Sequence, residues 1–220
     1  MKKITIIETI QDWLASDSSA DSKSIYHVEI IKQHLNNVFN KAVYDSWLNG
    51  KRYSDFSQLD AWSRTYEVTL VSQVGTKAHG FLPFAPIQLP DAMGLRQVAD
   101  HDDVSNVFAP MESTASVVFA ELEVSTMDDT PTYSMEQNNL STGAGESSHM
   151  LRFDKLPIAP ATLITSVDVL LIVPIEVLDD YDDCVMPAGM EDNIIQQVIS
   201  LMSKKPMPDT NNDQVIERKQ

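Results

Sequence analysis

Five histidines, a single cysteine and two aspartate clusters are the residues of this chain best suited to chemistry. His27 and His34 are seven residues apart and fall on one side of a helix, but no carboxylate is spaced to complete a zinc site with them. They read as solvated helix histidines. His79, His101 and His149 have no partner in sequence apart from the "HDD" run at 101–103, which could attract a hard cation through oxygen ligands. "DDYDDC" at 179–184 could do the same through Asp179, Asp180, Asp182 and Asp183, yet it lacks the glycine turn and distal glutamate of a calcium loop. An acidic loop closing the last strand is the simpler reading. Cys184 follows Asp182 and Asp183, whose charges oppose formation of the thiolate that a catalytic cysteine needs. "GAGES" at 143–147 has no Gly-Lys-Ser/Thr to make a phosphate loop, and no serine flanked by glycines to make a nucleophile elbow. The sequence therefore predicts no catalytic constellation, no metal and no cofactor. The chain is not expected to be an enzyme.

Composition narrows the partners. Sixteen Lys and Arg stand against 32 Asp and Glu, a net charge of -16 over 220 residues. Broad contact with phosphate backbones or anionic lipid depends on cationic side chains, so neither nucleic acid nor a membrane is an expected ligand. With 43% hydrophobic residues the chain can bury a proper core. One cysteine permits no intrachain disulfide and suits a reducing compartment. The opening "MKKITIIETIQDWLA" starts like a signal peptide, but Glu8 and Asp12 interrupt its apolar run, so it reads as a helix of the mature protein. "VDVLLIVPI" is half the length of a membrane span, which takes about 20 residues.

These residues must be positioned by a recognisable series of elements. Ile4, Ile7, Ile10 and Leu14 predict a helix over 3–15, and "SDSSADS" at 16–22 a short linker. Ile25, Val28, Ile31, Leu35, Val38 and Ala42 predict a long amphipathic helix over about 24–48, stopped by "NG" at 49–50. This stripe packs on the chain's own core, or in part faces a neighbouring subunit. From residue 64 the pattern turns to strands: "RTYEVTLVSQV" and "AHGFL" around a "GTK" turn, then "QVADHDD", "ASVVFAELEVS", "MLRFDKLP" and "SVDVLLIVPIEVL". Residues 126–149 are polar and aperiodic, and read as either a long loop or a segment that becomes ordered only against a partner. A closing helix is predicted over 190–203, followed by a polar, proline-interrupted tail. The expected fold class is α+β: a helical region over 1–63, an antiparallel β-sheet or sandwich core over 64–189, and a C-terminal helix with an extended arm over 190–220.

One segment fits none of these patterns. "GFLPFAPIQLPDAMGLRQV" at 80–98 breaks an apolar run with Pro83, Pro86 and Pro90. It resembles a segment of the ring proteins at the head–tail connector of podovirus-like, crAss-like tailed bacteriophages. In that family a strand ending in Leu-Pro (here Leu82-Pro83) leads through a proline-spaced apolar stretch (Leu89-Pro90) to a strand like Gly94-Leu95-Arg96-Gln97-Val98. "VLLIVPIEVLDDYDDCVMPAGMEDNIIQQVISLM" is similar to the family's closing strand, Pro-X-Gly turn and terminal helix, and "KKPMPDTNNDQ" to its polar tail. The resemblance covers roughly residues 24–214 in order of elements.

The resemblance implies a structural virion protein of the neck or tail, made in the bacterial host cytoplasm. It would form a homo-oligomeric ring of twelve copies against the portal protein and other ring or tail proteins. Phage DNA would pass through without specific binding. The expected interface residues are Phe84, Ile87 and Leu89, with Pro206, Pro208 and Asp209 of the tail, because an apolar, proline-broken segment cannot sit in a central strand and would be stranded at the surface. A small-molecule or carbohydrate-binding β module is the alternative. It would need a rigid aromatic cluster, whereas Trp13, Trp47 and Trp62 all lie outside the predicted β core.

Overall fold

Apolar residues at helical spacing set the first two elements. Ile6, Ile7, Ile10 and Leu14 bury one side of α1 (Lys3–Ser16), and Ile31, Leu35, Val38, Phe39, Val43 and Trp47 bury one side of α2 (Val28–Tyr53). The computed structural model describes residues 1–16, 27–111, 131–137, 149–157 and 164–203. Helix α2 does not stop at Asn49-Gly50. It continues to Tyr53 and ends on Ser54, which takes the left-handed conformation (φ 55°) and donates its N–H to the Gly50 carbonyl. Gly50 serves close approach instead of termination: a Cβ there would lie 2.5 Å from the Phe56 ring. Phe56 precedes a single helical turn, α3 (Ser57–Asp60), that delivers Trp62 into the core. Trp62 meets Phe39 edge-on at 5.2 Å, and its indole N–H donates to the Ser46 hydroxyl at 3.0 Å.

The chain then enters two sheets. The first has the order β1-β8-β4, with β1 (Arg64–Thr69) and β4 (Leu95–Asp100) both antiparallel to the central β8 (Ser166–Leu171). Alternation along β8 buries Val167, Val169 and Leu171 on one face. The second sheet has the order β2-β3-β7-β6-β5, built from β2 (Val71–Val74), β3 (Lys77–Phe81), β7 (His149–Asp154), β6 (Thr132–Gln137) and the short β5 (Ala109–Pro110). As the "GTK" turn predicts, β2 and β3 form a hairpin through Gly75, whose φ of 61° suits glycine. Pairing is antiparallel except between β5 and β6.

Continuous chain crosses between the sheets at both seams. On one side β1 runs through Leu70, whose N–H donates to the Thr165 carbonyl at 2.9 Å, into β2. On the other, Val107 bridges Ala99 of β4 and the Phe108 N–H donates to the Val98 carbonyl at 2.9 Å before the chain joins β6 as β5. Strands that switch sheets in this way bend the pair towards a barrel. Gly80 of β3 permits a close approach between the sheets, since a Cβ there would lie 2.6 Å from Val68 Cγ1 of β1. Phe108 and Phe153 meet edge-on at 5.7 Å inside, and one core runs from both sheets to the helices. Helix α4 (Met190–Ser203) closes the fold, burying Ile194, Ile195 and Val198 against α1 and α2.

The class is α+β, and several local expectations are corrected. The segment over 126–149 is not one loop. Thr132–Gln137 forms β6, with Thr132, Tyr133 and Ser134 buried, and His149 opens β7. The strand expected over 115–125 lies outside the described residues, as do the "GAGES" loop and the tail residues Pro206, Pro208 and Asp209.

The proline-broken segment is not an exposed patch. Ile87 and Leu89 are each only 8% exposed and belong to the core, while Phe84 is half-buried with its ring 5.5 Å from Tyr66. Backbone pairing explains the burial. The Ile87 N–H donates to the Ile172 carbonyl, and the Ile172 N–H to the Gly94 carbonyl, both at 2.9 Å. The segment thus folds over the end of β8, tied to it by the Ile87 N–H. Pro90 opens a 3-10 turn, where no donor is needed. Asp91 and Ala92 carry this turn through the left-handed region (φ 59° and 54°). Gly94 must then pass against the Ile87 backbone, because a Cβ would collide with the Ile87 carbonyl oxygen. Gly94→Ala is expected to cost about 2–3 kcal/mol, lowering the melting temperature by roughly 5–10 °C. Gly75→Asn, in an open hairpin turn, should leave it nearly unchanged. Equal melting of Gly94→Ala and the native chain would contradict this packing.

Candidate functional site

Each residue type that could do chemistry has a structural setting. Cys184 is buried, and burial is the main cause pushing its thiol up to about 11; Asp183 and Asp182 add only smaller contributions. His101 is exposed at the outer side of the first sheet, with Nδ1 2.9 Å from Asp168 Oδ1. That hydrogen bond raises its pKa, helped by the nearby charge of Glu67. Among the described residues, no group of three or more His, Cys, Asp and Glu is placed to hold a metal ion, and no helix is long and apolar enough to cross a membrane. Trp47 and Trp62 are buried in the helical region, so neither offers a ring face to a sugar.

The acidic loop 179–183 clasps the start of the chain. At the N-terminus of α1, where backbone donors lack intrahelical partners, the Lys3 and Ile4 N–H groups donate to the carbonyls of Asp182 and Asp180 at 3.1 and 2.7 Å. The Cys184 N–H returns a bond to the Met1 carbonyl at 2.9 Å. Lys3 is buried, and its ammonium donates to the Leu178 carbonyl at 2.6 Å and lies 3.9 Å from Asp180 Oδ1. Lys32 of α2 donates to the other oxygen of Asp180 at 2.9 Å. One carboxylate is therefore shared by lysines of two helices. The Lys32 hydrogen bond is the main cause holding the Asp180 carboxyl below its usual range, and the same bond raises Lys32. Within the loop, the Asp182 side chain accepts the Asp179 N–H at 3.0 Å, and the Asp182 N–H donates to the Asp179 carbonyl at 3.1 Å. This tight turn leaves Tyr181 at its apex, 75% exposed.

The second feature is a face of α2 that no other element covers among the described residues. Ile30, Tyr44 and Leu48 are exposed large apolar side chains that recur on one side of the helix, away from its buried stripe. Beside them an open groove of about 320 Å³ runs between α2 and α4, lined by Asn37, Val38, Lys41, Gln197, Ser200 and Leu201. The sequence singles out Asp179, Asp180, Asp182 and Asp183 only as possible cation ligands, and neither the clasp nor this face is among the residues expected at an interface. A helical wheel of 28–53 carries the signal for the face, since Ile30, Asn37, Lys41, Tyr44 and Leu48 follow a four-and-three spacing of their own. The clasp leaves no such trace, because nothing local ties Lys3 to Leu178.

A comparison with known protein families found no model that matches the chain, and a comparison with curated proteins found no match either.

Two outcomes test the clasp. Lys3→Met leaves the Leu178 carbonyl without its donor and Asp180 with one lysine, and is expected to cost about 1–3 kcal/mol. Because the Asp180 pKa is depressed in the folded state, its contribution is complete above the unfolded value of about 3.9 and is lost as pH falls through the folded one. Denaturant titrations from pH 7 to 2.5 should therefore show a steeper acid loss for the native chain than for Asp180→Asn. Parallel profiles would remove Asp180 from the clasp.

Proposed function

We propose that the protein is a structural subunit of a tailed-phage virion, forming a ring in the portal–tail connector that joins head to tail and lines the path of the DNA. The observation that carries this reading is the exposed apolar face of α2 beside the α2–α4 groove, on a chain of strong net charge. Exposed apolar patches of this kind mark contact surfaces, and a ring subunit needs one on each side. The order of elements in the family resemblance, helices then strands then a closing helix, agrees with the fold. A wall of net charge -16 per copy repels phosphates, so a duplex would slide past it. Twelve copies, to match the portal, follow from the resemblance.

The same charge opposes self-association, so the ring is expected to form on the portal or on a preceding ring and not free in solution. Native mass measurement of the purified protein at low salt should give monomers or weak oligomers. Mixed with particles that lack tails, the protein should attach in about a dozen copies per particle. Deleting residues 206–220 should leave the melting temperature within about a degree and abolish attachment. No attachment of the full chain would overturn the proposed function, and full attachment without the tail would remove that arm from it.

A further inference from the structure

Two surfaces complement each other and point in opposite directions from α2. The helix carries Lys32, Lys41, Lys51 and Arg52 against Glu29 and Asp45, a positive balance on an acidic chain. The stretch 164–203 carries eight carboxylates and no Lys or Arg. Its acidic loop exposes Tyr181 at 75%, and the 3-10 turn just before the loop exposes Val177 at 41%. The groove side offers Val38 and Leu201 as apolar lining, polar groups at Asn37, Gln197 and Ser200, and the Lys41 ammonium. Lys32 holds the acidic loop on one flank of α2, and Lys41 lines the groove on the other. At 3.6 residues per turn, a spacing of nine residues places these side chains half a turn apart. Within one copy, loop and groove therefore lie across the helix from each other.

We propose that the α2–α4 groove receives Tyr181 and its flanking carboxylates from a second copy of this chain, in a head-to-tail contact. A donor loop on one flank and an acceptor groove on the other make the contact heterologous, so it repeats from copy to copy and closes when the rotation permits. The groove volume of about 320 Å³ is at the lower end of small-ligand pockets (about 300–1,000 Å³) and takes an aromatic ring. Lys41 meets the Asp179 and Asp183 carboxylates around that ring. The tight turn and the Lys3 and Lys32 ion pairs fix Tyr181 before contact, which lowers the ordering cost of binding. Rigid, exposed tyrosines are typical anchors of protein interfaces. The inference rests on the ring reading and adds to it the residues through which neighbouring copies meet.

Cysteine cross-linking tests this contact on the full chain, because the native Cys184 is buried and gives little background. Val177→Cys, beside the acidic loop, and Ser200→Cys, on the groove wall, leave Tyr181 and Leu201 in place; they are mixed in equal amounts at high concentration and treated with a short bismaleimide. The mixture should give mixed dimers, at least fivefold above either variant alone, and a chain carrying both changes should give a ladder. Lys41→Glu should cut the ladder at least fivefold, and Asp179→Lys with Asp183→Lys should restore it. Equal dimers from Val177→Cys alone would mean a two-fold contact and overturn the proposal. So would the absence of mixed dimers, or a ladder indifferent to Lys41→Glu. Particles lacking tails separate the two readings. Double-variant chains that attach there without laddering would sink this contact and leave the ring. A ladder in solution with no attachment would sink the connector function and leave the contact.

Discussion

Asp180 sits between Lys3 and Lys32, and through that carboxylate both N-terminal helices are tied to the segment that follows β8. A lysine as buried as Lys3 is costly unless its ammonium is both paired and hydrogen-bonded, and here the Leu178 carbonyl and Asp180 supply the two. The backbone bonds from Lys3 and Ile4 into the same loop use donors that the start of a helix leaves free. As a result the first residues of the chain are tied to the segment that follows the central strand β8, with α1 and α2 fastened across some 150 residues of sequence. The loop that does this is also held in one shape, and its apex side chain is pushed into solvent. Stability and the presentation of Tyr181 thus share one cause.

Charge distribution carries the same logic outward. Asp180, Asp182 and Glu176 have internal partners, at Lys32, the Asp179 N–H and Asn36, so the loop has a fixed geometry, and the remaining carboxylates give it its field. Four of the sixteen basic residues lie on α2 against two carboxylates, and there Lys51 also lies over the Trp47 ring at 5.1 Å. An acidic chain with one basic, partly apolar helix has a strong preference for how copies approach: most orientations repel, and few bring opposite charges together.

Much of the fold is legible in the sequence where the signal is local. The Gly75 turn, the alternation of β8 and the closing helix each follow from residues next to one another. The misreadings share a different origin. Gly50 looks like a helix stop, but its lack of a side chain answers to Phe56, which packs across it. Pro83, Pro86 and Pro90 rule out a regular strand, yet Ile87 finds its acceptor on Ile172, far along the chain, and so is buried. Thr132 and Ser134 look like loop residues and become buried only because β6 pairs with β7 on one side and β5 on the other. The candidate contact surface is half legible. The exposed spacing of Ile30, Tyr44 and Leu48 can be drawn from a helical wheel, while the groove beside it needs α4 in place.

The central claim is that the clasp joins helices and sheets into one cooperative unit. Native-state amide hydrogen exchange at the Lys3, Ile4 and Cys184 N–H groups, compared with Val167, Val169 and Leu171 of β8, tests it most directly. Cooperative coupling predicts exchange free energies at the clasp that match those of β8 and equal the global unfolding value, with protection factors within about tenfold of one another. Clasp amides that exchange a thousandfold faster than β8 while the sheet stays protected would show that the loop opens on its own, and would contradict the account.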